Sequence, residues 1–271
     1  MSDPLAARWA AARSRRTAAL IPYITAGFPN AAATRALLAG AADAGADILE
    51  LGIPWSDPVA DGPVIQASTF ASLQGGTTLG GVLDLLADAR PSVPVVLFSY
   101  INPILAFGAK RFAARAREAG ASAVLVTDLP VGADPAVEAE LRSSGLPFVR
   151  LVAPTTADAR LAAIAAASEG FVYLIARLGV TGRGNGERGA AERVQTQLAE
   201  RVAAVRAVTP LPVAVGFGIS EPSQARDVAG IADGVVIGSA LVERMKSGGA
   251  EPALRWLREV RAAMDTVPSP A

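Results

Sequence analysis

Eight times along the chain a short apolar run rich in β-formers leads through a loop into an alanine-rich stretch with helical spacing. The runs cover 19–25, 47–53, 95–100, 123–128, 147–152, 170–177, 213–218 and 234–238. The helical patterns cover about 31–44, 63–89 (interrupted by Gly75 and Gly76), 108–119, 133–144, 157–168, 190–207, 221–229 and 239–265 in two pieces. Strands joined through helical crossovers lie parallel, and helices then cover the sheet. Eight such units are the number that closes a (β/α)8 TIM barrel, although a doubly wound open sheet uses the same alternation. No linker or composition shift divides the 271 residues. The expected fold class is therefore α/β, a single (β/α)8 TIM barrel spanning residues 1–271. Residues 3–16 form an extra N-terminal helix with Leu5, Trp9 and Ala12 on one side, and residues 1–4 and 266–271 are expected as disordered tails.

In such a barrel the chemistry sits where strands run into the following loops. The stretch DILELGIPWSDPVADGPVIQ (47–66) is the most informative place to look. It begins as a buried strand, yet Glu50 interrupts the apolar run. A buried carboxylate is costly unless it is paired, hydrogen-bonded or neutral. Period-two alternation puts Ile48 and Glu50 on one face and Leu49 and Leu51 on the other. Aiming Glu50 into the barrel mouth keeps it out of the helical layer, where the two leucines belong. Glu50 then reads as a functional carboxylate, or else as one tied to an arginine or to backbone amides. The loop adds Asp57 and Asp61, framed by prolines and Gly62, but SDP and ADGP are also ordinary turn chemistry.

Composition narrows the reaction. With no histidine there is no imidazole base and no Ser-His-Asp triad, and with no cysteine either, a zinc site is disfavoured. The two lysines, Lys110 and Lys246, fall in helical patterns, away from where a Schiff base forms. Acid–base work falls to carboxylates, tyrosines and backbone groups. Lys plus Arg and Asp plus Glu number 25 each, so no net field attracts nucleic acid. No run approaches the ~20 apolar residues that span a bilayer, and no signal-peptide core is present. The expectation is a cytoplasmic protein acting on a small molecule, with no nucleic-acid or membrane partner.

Two glycine turns follow the last two strands. VGFGIS (215–220) carries Gly216 and Gly218, and VIGSA (236–240) carries Gly238 and Ser239 at a helix start. Glycine lets backbone N–H groups approach an anion, and a helix N-terminus adds positive potential. Their placement after strands seven and eight matches the usual barrel phosphate site, with plain tight turns as the other reading. GVTGRGNGERG (179–189) reads as a lid or as a disordered connection. Tyr23, Tyr100 and Tyr173 each lie near a strand end, as pocket lining or as core.

Taken together, IPYITAGFP (21–29), LELGIPWSDPVADGPVIQ (49–66), SYINPI (99–104), TDLP (127–130), LVAPTT (151–156), GVTG (179–182), VGFGIS (215–220) and IGSALV (237–242) resemble the tryptophan synthase α-subunit family. They run in the family's order across about residues 5 to 265. The resemblance implies a TIM barrel that cleaves indole-3-glycerol phosphate to indole and glyceraldehyde 3-phosphate, with no cofactor and no metal. It implies that Glu50 is the general acid/base and that Asp61 hydrogen-bonds the indole N–H. It implies phosphate contacts at Gly182, Gly218, Gly238 and Ser239, and an indole wall of Tyr23, Phe98, Tyr100, Leu125 and Tyr173. Thr181 matches the lid threonine that positions the aspartate, with Arg177 at the lid's root. Pro54 and Asp57 match the loop that communicates with a β-subunit in an α2β2 complex. The chain departs from the family at Ala176, Arg177 and Leu178, where Ser-Arg-Thr or Ser-Arg-Ser is usual. It departs also in a longer RGNGERG loop, and at Trp55 where phenylalanine is common. These changes leave a stand-alone lyase releasing free indole as the alternative. A catalytically dead barrel and another sugar-phosphate barrel are the readings from other classes.

Overall fold

A computed structural model describes residues 3–176, 187–216 and 218–269. The eight strands are β1 (Ala19–Thr25), β2 (Leu49–Gly52), β3 (Val95–Ser99), β4 (Ala123–Val126), β5 (Phe148–Val152), β6 (Val172–Ile175), β7 (Val213–Gly216) and β8 (Gly234–Ile237). They pair in parallel in chain order and β8 returns to β1, so the sheet is a closed barrel. Closure removes both edges and separates an interior from an outer face.

Among the described residues the helices are α1 (Pro4–Ser14), α2 (Ala31–Gly40), α3 (Pro63–Gln74), α4 (Leu79–Ala89), α5 (Ile101–Phe107), α6 (Ala109–Glu118), α7 (Pro135–Arg142), α8 (Asp158–Ala166), α9 (Glu187–Arg206), α10 (Pro222–Ala229), α11 (Ser239–Gly248) and α12 (Ala250–Met264). The break between α3 and α4 falls at Gly75 and Gly76, and the last helical pattern divides at Gly249, where φ is +74°. The short α5 is an addition to the sequence reading. Seven residues make about two turns at 3.6 per turn, too few to display a period.

Strand alternation divides the core in two. Leu49 and Leu51 join the layer between strands and helices, with Leu97, Val124, Val126 and Leu174. Ile48 joins the barrel interior, with Ile21, Val96, Leu125, Val149, Phe171 and Val236. The facing assigned to Glu50 from alternation is thus the one the barrel adopts.

Helix α1 closes the amino-terminal end. Asp3 caps it by accepting the Leu5 N–H at 2.9 Å, and Pro4 occupies the first turn, where no N–H is needed. Its Leu5, Trp9 and Ala12 enter the interior cluster, and Trp9 lies 5.5 Å from Phe171 between ring centroids. Asp47, three residues before Glu50, ties this end together. Its carboxylate accepts from Arg15 at 2.5 Å and from the Leu20 N–H at 3.0 Å, and Arg261 of α12 lies 3.5 Å away. The ends expected to be loose are held where they are described. Asp3 is a cap, Val267 packs on the core, and the Ser269 N–H donates to the Arg16 carbonyl. The amino-terminal end is held by a local cap, and the carboxyl-terminal end by partners far away in sequence.

Candidate active site

Strand β2 delivers Glu50 between Tyr23 of β1 and Val96 of β3, its register partners. The side chain is 1% exposed, and neither carboxyl oxygen has a hydrogen-bond partner among the described residues. Burial alone pushes its pKa up from 4.5 to about 8, so the group is protonated at neutral pH. A buried carboxyl that keeps its proton at pH 7 is a proton donor in waiting.

Asp61 arrives from the loop after β2. Its N–H donates to the Pro58 carbonyl at 3.0 Å, and Gln66 of α3 donates to the Asp61 carbonyl at 2.9 Å. The carboxylate accepts from the Tyr100 hydroxyl at 3.0 Å, and that hydroxyl accepts the Ala60 N–H at 3.0 Å. Tyr100 thereby grips the loop at two points. Burial raises the Asp61 pKa to about 6 against the opposing pull of the Tyr100 hydrogen bond. Asp61 is ionised above that pH while Glu50 remains neutral, so two carboxyl groups hold different charge states in one site.

The walls come from β1, β3 and β6. Tyr23 meets Phe98 edge-on, with centroids 5.3 Å apart and planes at 77°. The Tyr23 and Tyr173 hydroxyls each lie over a strand-end glycine. A Cβ on Gly52 would stand 2.1 Å from the Tyr23 hydroxyl, and one on Gly216 would stand 2.3 Å from that of Tyr173. Glycine at these two positions makes room for the rings at the barrel rim. Burial, followed by the nearby Asp61 and Glu50 charges, holds both hydroxyls far above their ordinary pKa, so they stay neutral. The opposite wall is Gly218, in a left-handed turn at φ +80°, with Gly238 and Ser239. Gly238 precedes α11 with no side-chain cap, and the Leu241 N–H donates to the Gly238 carbonyl, which leaves the Ser239 and Ala240 N–H groups at the helix start for an anion.

One cavity of about 250 Å³ gathers these parts: Tyr23, Glu50, Asp61, Phe98, Tyr173, Gly218, Gly238 and Ser239 all line it. Eight of the residues singled out in the sequence therefore meet in one place. Others do not. Leu125 is fully buried in the barrel interior beside Phe98, and Tyr100 stands behind Asp61 instead of lining the cavity. Pro54 is buried, and Asp57 is exposed with the Ser56 hydroxyl on its carboxylate at 2.5 Å. Arg177, Thr181 and Gly182, with most of the expected lid, lie outside the described residues.

This assembly has counterparts among known proteins. The family model described as tryptophan synthase alpha chain matches residues 9–266. The chain belongs to the tryptophan synthase alpha chain family. A curated alpha chain from Gloeobacter violaceus is 45% identical over 267 residues, covering 96% of this chain and 94% of that one. One from Synechococcus elongatus is 43% identical and covers 96% of each. Among solved structures, Mycobacterium tuberculosis tryptophan synthase matches at TM-score 0.86 and 33% identity, covering 98% of this chain and 99% of that one. The alpha subunit from Legionella pneumophila strain Paris matches at 0.86 and 32%, covering 98% and 100%. The chain is a carbon–carbon lyase that cleaves indole-3-glycerol phosphate. It does so as the α-subunit of tryptophan synthase in tryptophan biosynthesis, with the β-subunit as partner.

The cavity of this alpha chain also has walls that sequence reasoning missed: Gly62, Pro63, Ile65, Ile219 and Val236. A signal existed for two of them. Val236 lies two residues from Gly234 on β8, hence on the same face, and Ile65 is a large apolar residue in the first turn of α3, just after the acidic loop.

Proposed function

We propose that Glu50 and Asp61 divide the retro-aldol cleavage between them. Glu50, neutral at pH 7, gives its proton to indole C3. That step makes C3 tetrahedral and places positive charge on the ring nitrogen. The Asp61 carboxylate accepts a hydrogen bond from the indole N–H and stabilises that charge. The side-chain hydroxyl next to C3 then loses its proton to the Glu50 carboxylate and becomes the aldehyde carbonyl. The electrons of the breaking carbon–carbon bond return to the ring as indole and glyceraldehyde 3-phosphate separate. Glu50 ends with the proton it started with, so no external base is consumed.

In this reading the indole ring lies against Tyr23, Phe98 and Tyr173, while the phosphate takes the backbone N–H groups at Gly218, Gly238 and Ser239. The observation that carries it is one cavity with an unpartnered, buried Glu50 and the ionisable Asp61 near an uncapped helix start. The loop between them and the surface supplies the partner contact. Asp57 is exposed and Val59 is 83% exposed, an apolar side chain suited to being covered by the β-subunit. Buried Pro54 sets the path of that loop. Among the described residues no helix is long and apolar enough to cross a membrane, and we place the activity in the cytoplasm.

The test is steady-state release of indole from indole-3-glycerol phosphate by the purified chain, with and without a cognate β-subunit. Slow turnover alone and strong activation by the partner is the expected result. Equal, fast turnover in both cases would mean a stand-alone lyase. Full activity in Glu50→Gln or Asp61→Asn would remove that residue from its role.

A further inference from the structure

The aspartate given the charge-stabilising role sits on a turn loop, and turn loops are ordinarily mobile. Its carboxylate is held by Tyr100, so the question becomes what holds Tyr100. Tyr100 is the N-cap residue of α5, and its side chain makes no cap hydrogen bond; its hydroxyl, at the far end of the ring, is engaged by Asp61 and Ala60. An N-cap residue normally uses its own Ser, Thr, Asp or Asn oxygen to satisfy the first N–H groups. Here that task falls to a residue from the next loop. Asp128, just past β4, accepts the Ile101 N–H on Oδ1 at 2.7 Å.

The loop bearing Asp128 is braced on both sides. The Thr127 N–H and hydroxyl both donate to the Ser99 carbonyl, at 3.0 and 3.3 Å. On the other side, buried Arg150 of β5 donates to the Leu129 carbonyl at 3.1 Å. Arg150 is itself fixed by Glu138 of α7, whose other oxygen accepts the Gly132 N–H at 3.0 Å. A rigid chain of contacts therefore runs from β5 through the loops after β4 and β3 to the loop after β2.

We propose that Asp128 is a positioning residue for the lyase reaction: by capping α5 at Ile101 it fixes Tyr100, and through Tyr100 it holds Asp61 at the cavity. The inference rests on the role given to Asp61 above. The titratable groups that face Asp61 are Glu50 from β2, Tyr23 from β1, Tyr100 from the end of β3 and Tyr173 from β6. Among the described residues none of them is a cation. The Tyr100 hydrogen bond favours the ionised form of Asp61, opposing burial. Loosening Tyr100 therefore raises the pKa of Asp61 and moves the acid limb of the pH–rate profile to higher pH.

The experiment compares wild type, Asp128→Ala, Asp128→Asn, Tyr100→Phe, Asp128→Ala/Tyr100→Phe and Asp61→Asn, each in complex with the β-subunit. It measures kcat and KM for indole-3-glycerol phosphate from pH 5 to 9, with thermal melts of each chain. Asp128 is exposed, so its variants are expected to fold. Asp128→Ala is expected to lose about five- to thirtyfold in kcat, the equivalent of a lost helix cap, with a smaller change in KM. Its acid limb should move upward, as in Tyr100→Phe. The double variant should be no worse than Tyr100→Phe, because the two residues act in series. Asp128→Asn keeps an acceptor oxygen and should recover most of the rate. An unmoved acid limb in Asp128→Ala overturns the proposal, as does an equal loss in the Asn variant. If Asp61→Asn is inactive while Asp128→Ala is silent, only this inference fails. If Asp61→Asn is fully active, the role of Asp61 fails and this inference with it.

Discussion

Asp47 and Glu50 lie three residues apart around the same strand, and both are almost fully buried, at 4% and 1% exposed. Asp47 faces the amino-terminal end of the barrel, where Arg15, the Leu20 N–H and Arg261 surround its carboxylate. Glu50 points to the other end and has no partner for either oxygen among the described residues. A paired buried carboxylate holds elements together, whereas an unpaired one is an unfavourable feature that the rest of the fold must support. Burial is therefore not the property that separates a structural acid from a catalytic one. The partner set is. One end of this barrel is built to be closed, by α1 and a paired carboxylate, and the other to keep a proton available.

The largest expected effect is on the open end. Glu50→Gln should lower kcat about 10²–10⁴-fold, the usual contribution of a general acid/base. The same variant should be more stable than wild type in alkali. The folded-state pKa of Glu50 is raised to about 8, so between about pH 4.5 and 8 the folded chain holds a proton that the unfolded chain has released. Wild-type stability from this group is thus lost as pH rises through that window, by an amount on the order of a few kcal/mol. Urea melts at pH 4.5 and pH 8.5 check the sign: the advantage of the Gln variant should be present at the higher pH and absent at the lower. A Gln variant less stable at both would mean that Glu50 is a structural residue like Asp47.

Asp61→Asn comes next, with about a 10²-fold loss in kcat, comparable to removing one electrostatic contact to a transition state. Its melting temperature should be unchanged, because the residue sits on a loop. For wild type, kcat/KM should fall in acid near pH 6 as Asp61 protonates and in base near pH 8 as Glu50 ionises. A profile flat from pH 5 to 9 would contradict the division of roles. The closed end should behave in the opposite way. Asp47→Ala is expected to lose about 3 kcal/mol of stability, because Arg15 and Arg261 lose their carboxylate. Its kcat, measured well below the melting temperature, should match wild type; a large kcat loss would erase the contrast between the two ends. The smallest effect concerns the rim. Gly52→Ala drives a methyl into the Tyr23 hydroxyl and should destabilise by about 1–3 kcal/mol. Adding Tyr23→Phe removes the nearest atom and should recover part of that loss.

Much of this was legible in the linear chain because the barrel repeats. Strand β1 coincides with the predicted run, and every other observed strand falls inside its predicted run, since alternation and helical spacing are local. Glu50 was legible for the same reason, as a carboxylate in a run that otherwise reads as buried. Asp61 was ambiguous, because a turn and a catalytic loop use the same residues. Tyr100 was expected in the indole wall, but its grip on Asp61, a contact between residues 39 apart in sequence, was not legible. Leu125 was expected in the indole wall from the family resemblance, and its strand position faces the barrel interior beside Phe98.

What the sequence by itself determined is the order and type of the elements, the facing of each strand residue, and the absence of imidazole, thiol and well-placed lysine chemistry. Those follow from backbone geometry over a few residues and from composition. Only the tertiary structure decided which carboxylate is satisfied and which is left with its proton, and that Tyr100 and Asp128 brace Asp61. Those depend on groups brought together by closing β8 onto β1 and by loops meeting at the barrel mouth. A hydrogen-bond partner 27 or 39 residues away leaves no trace in local spacing.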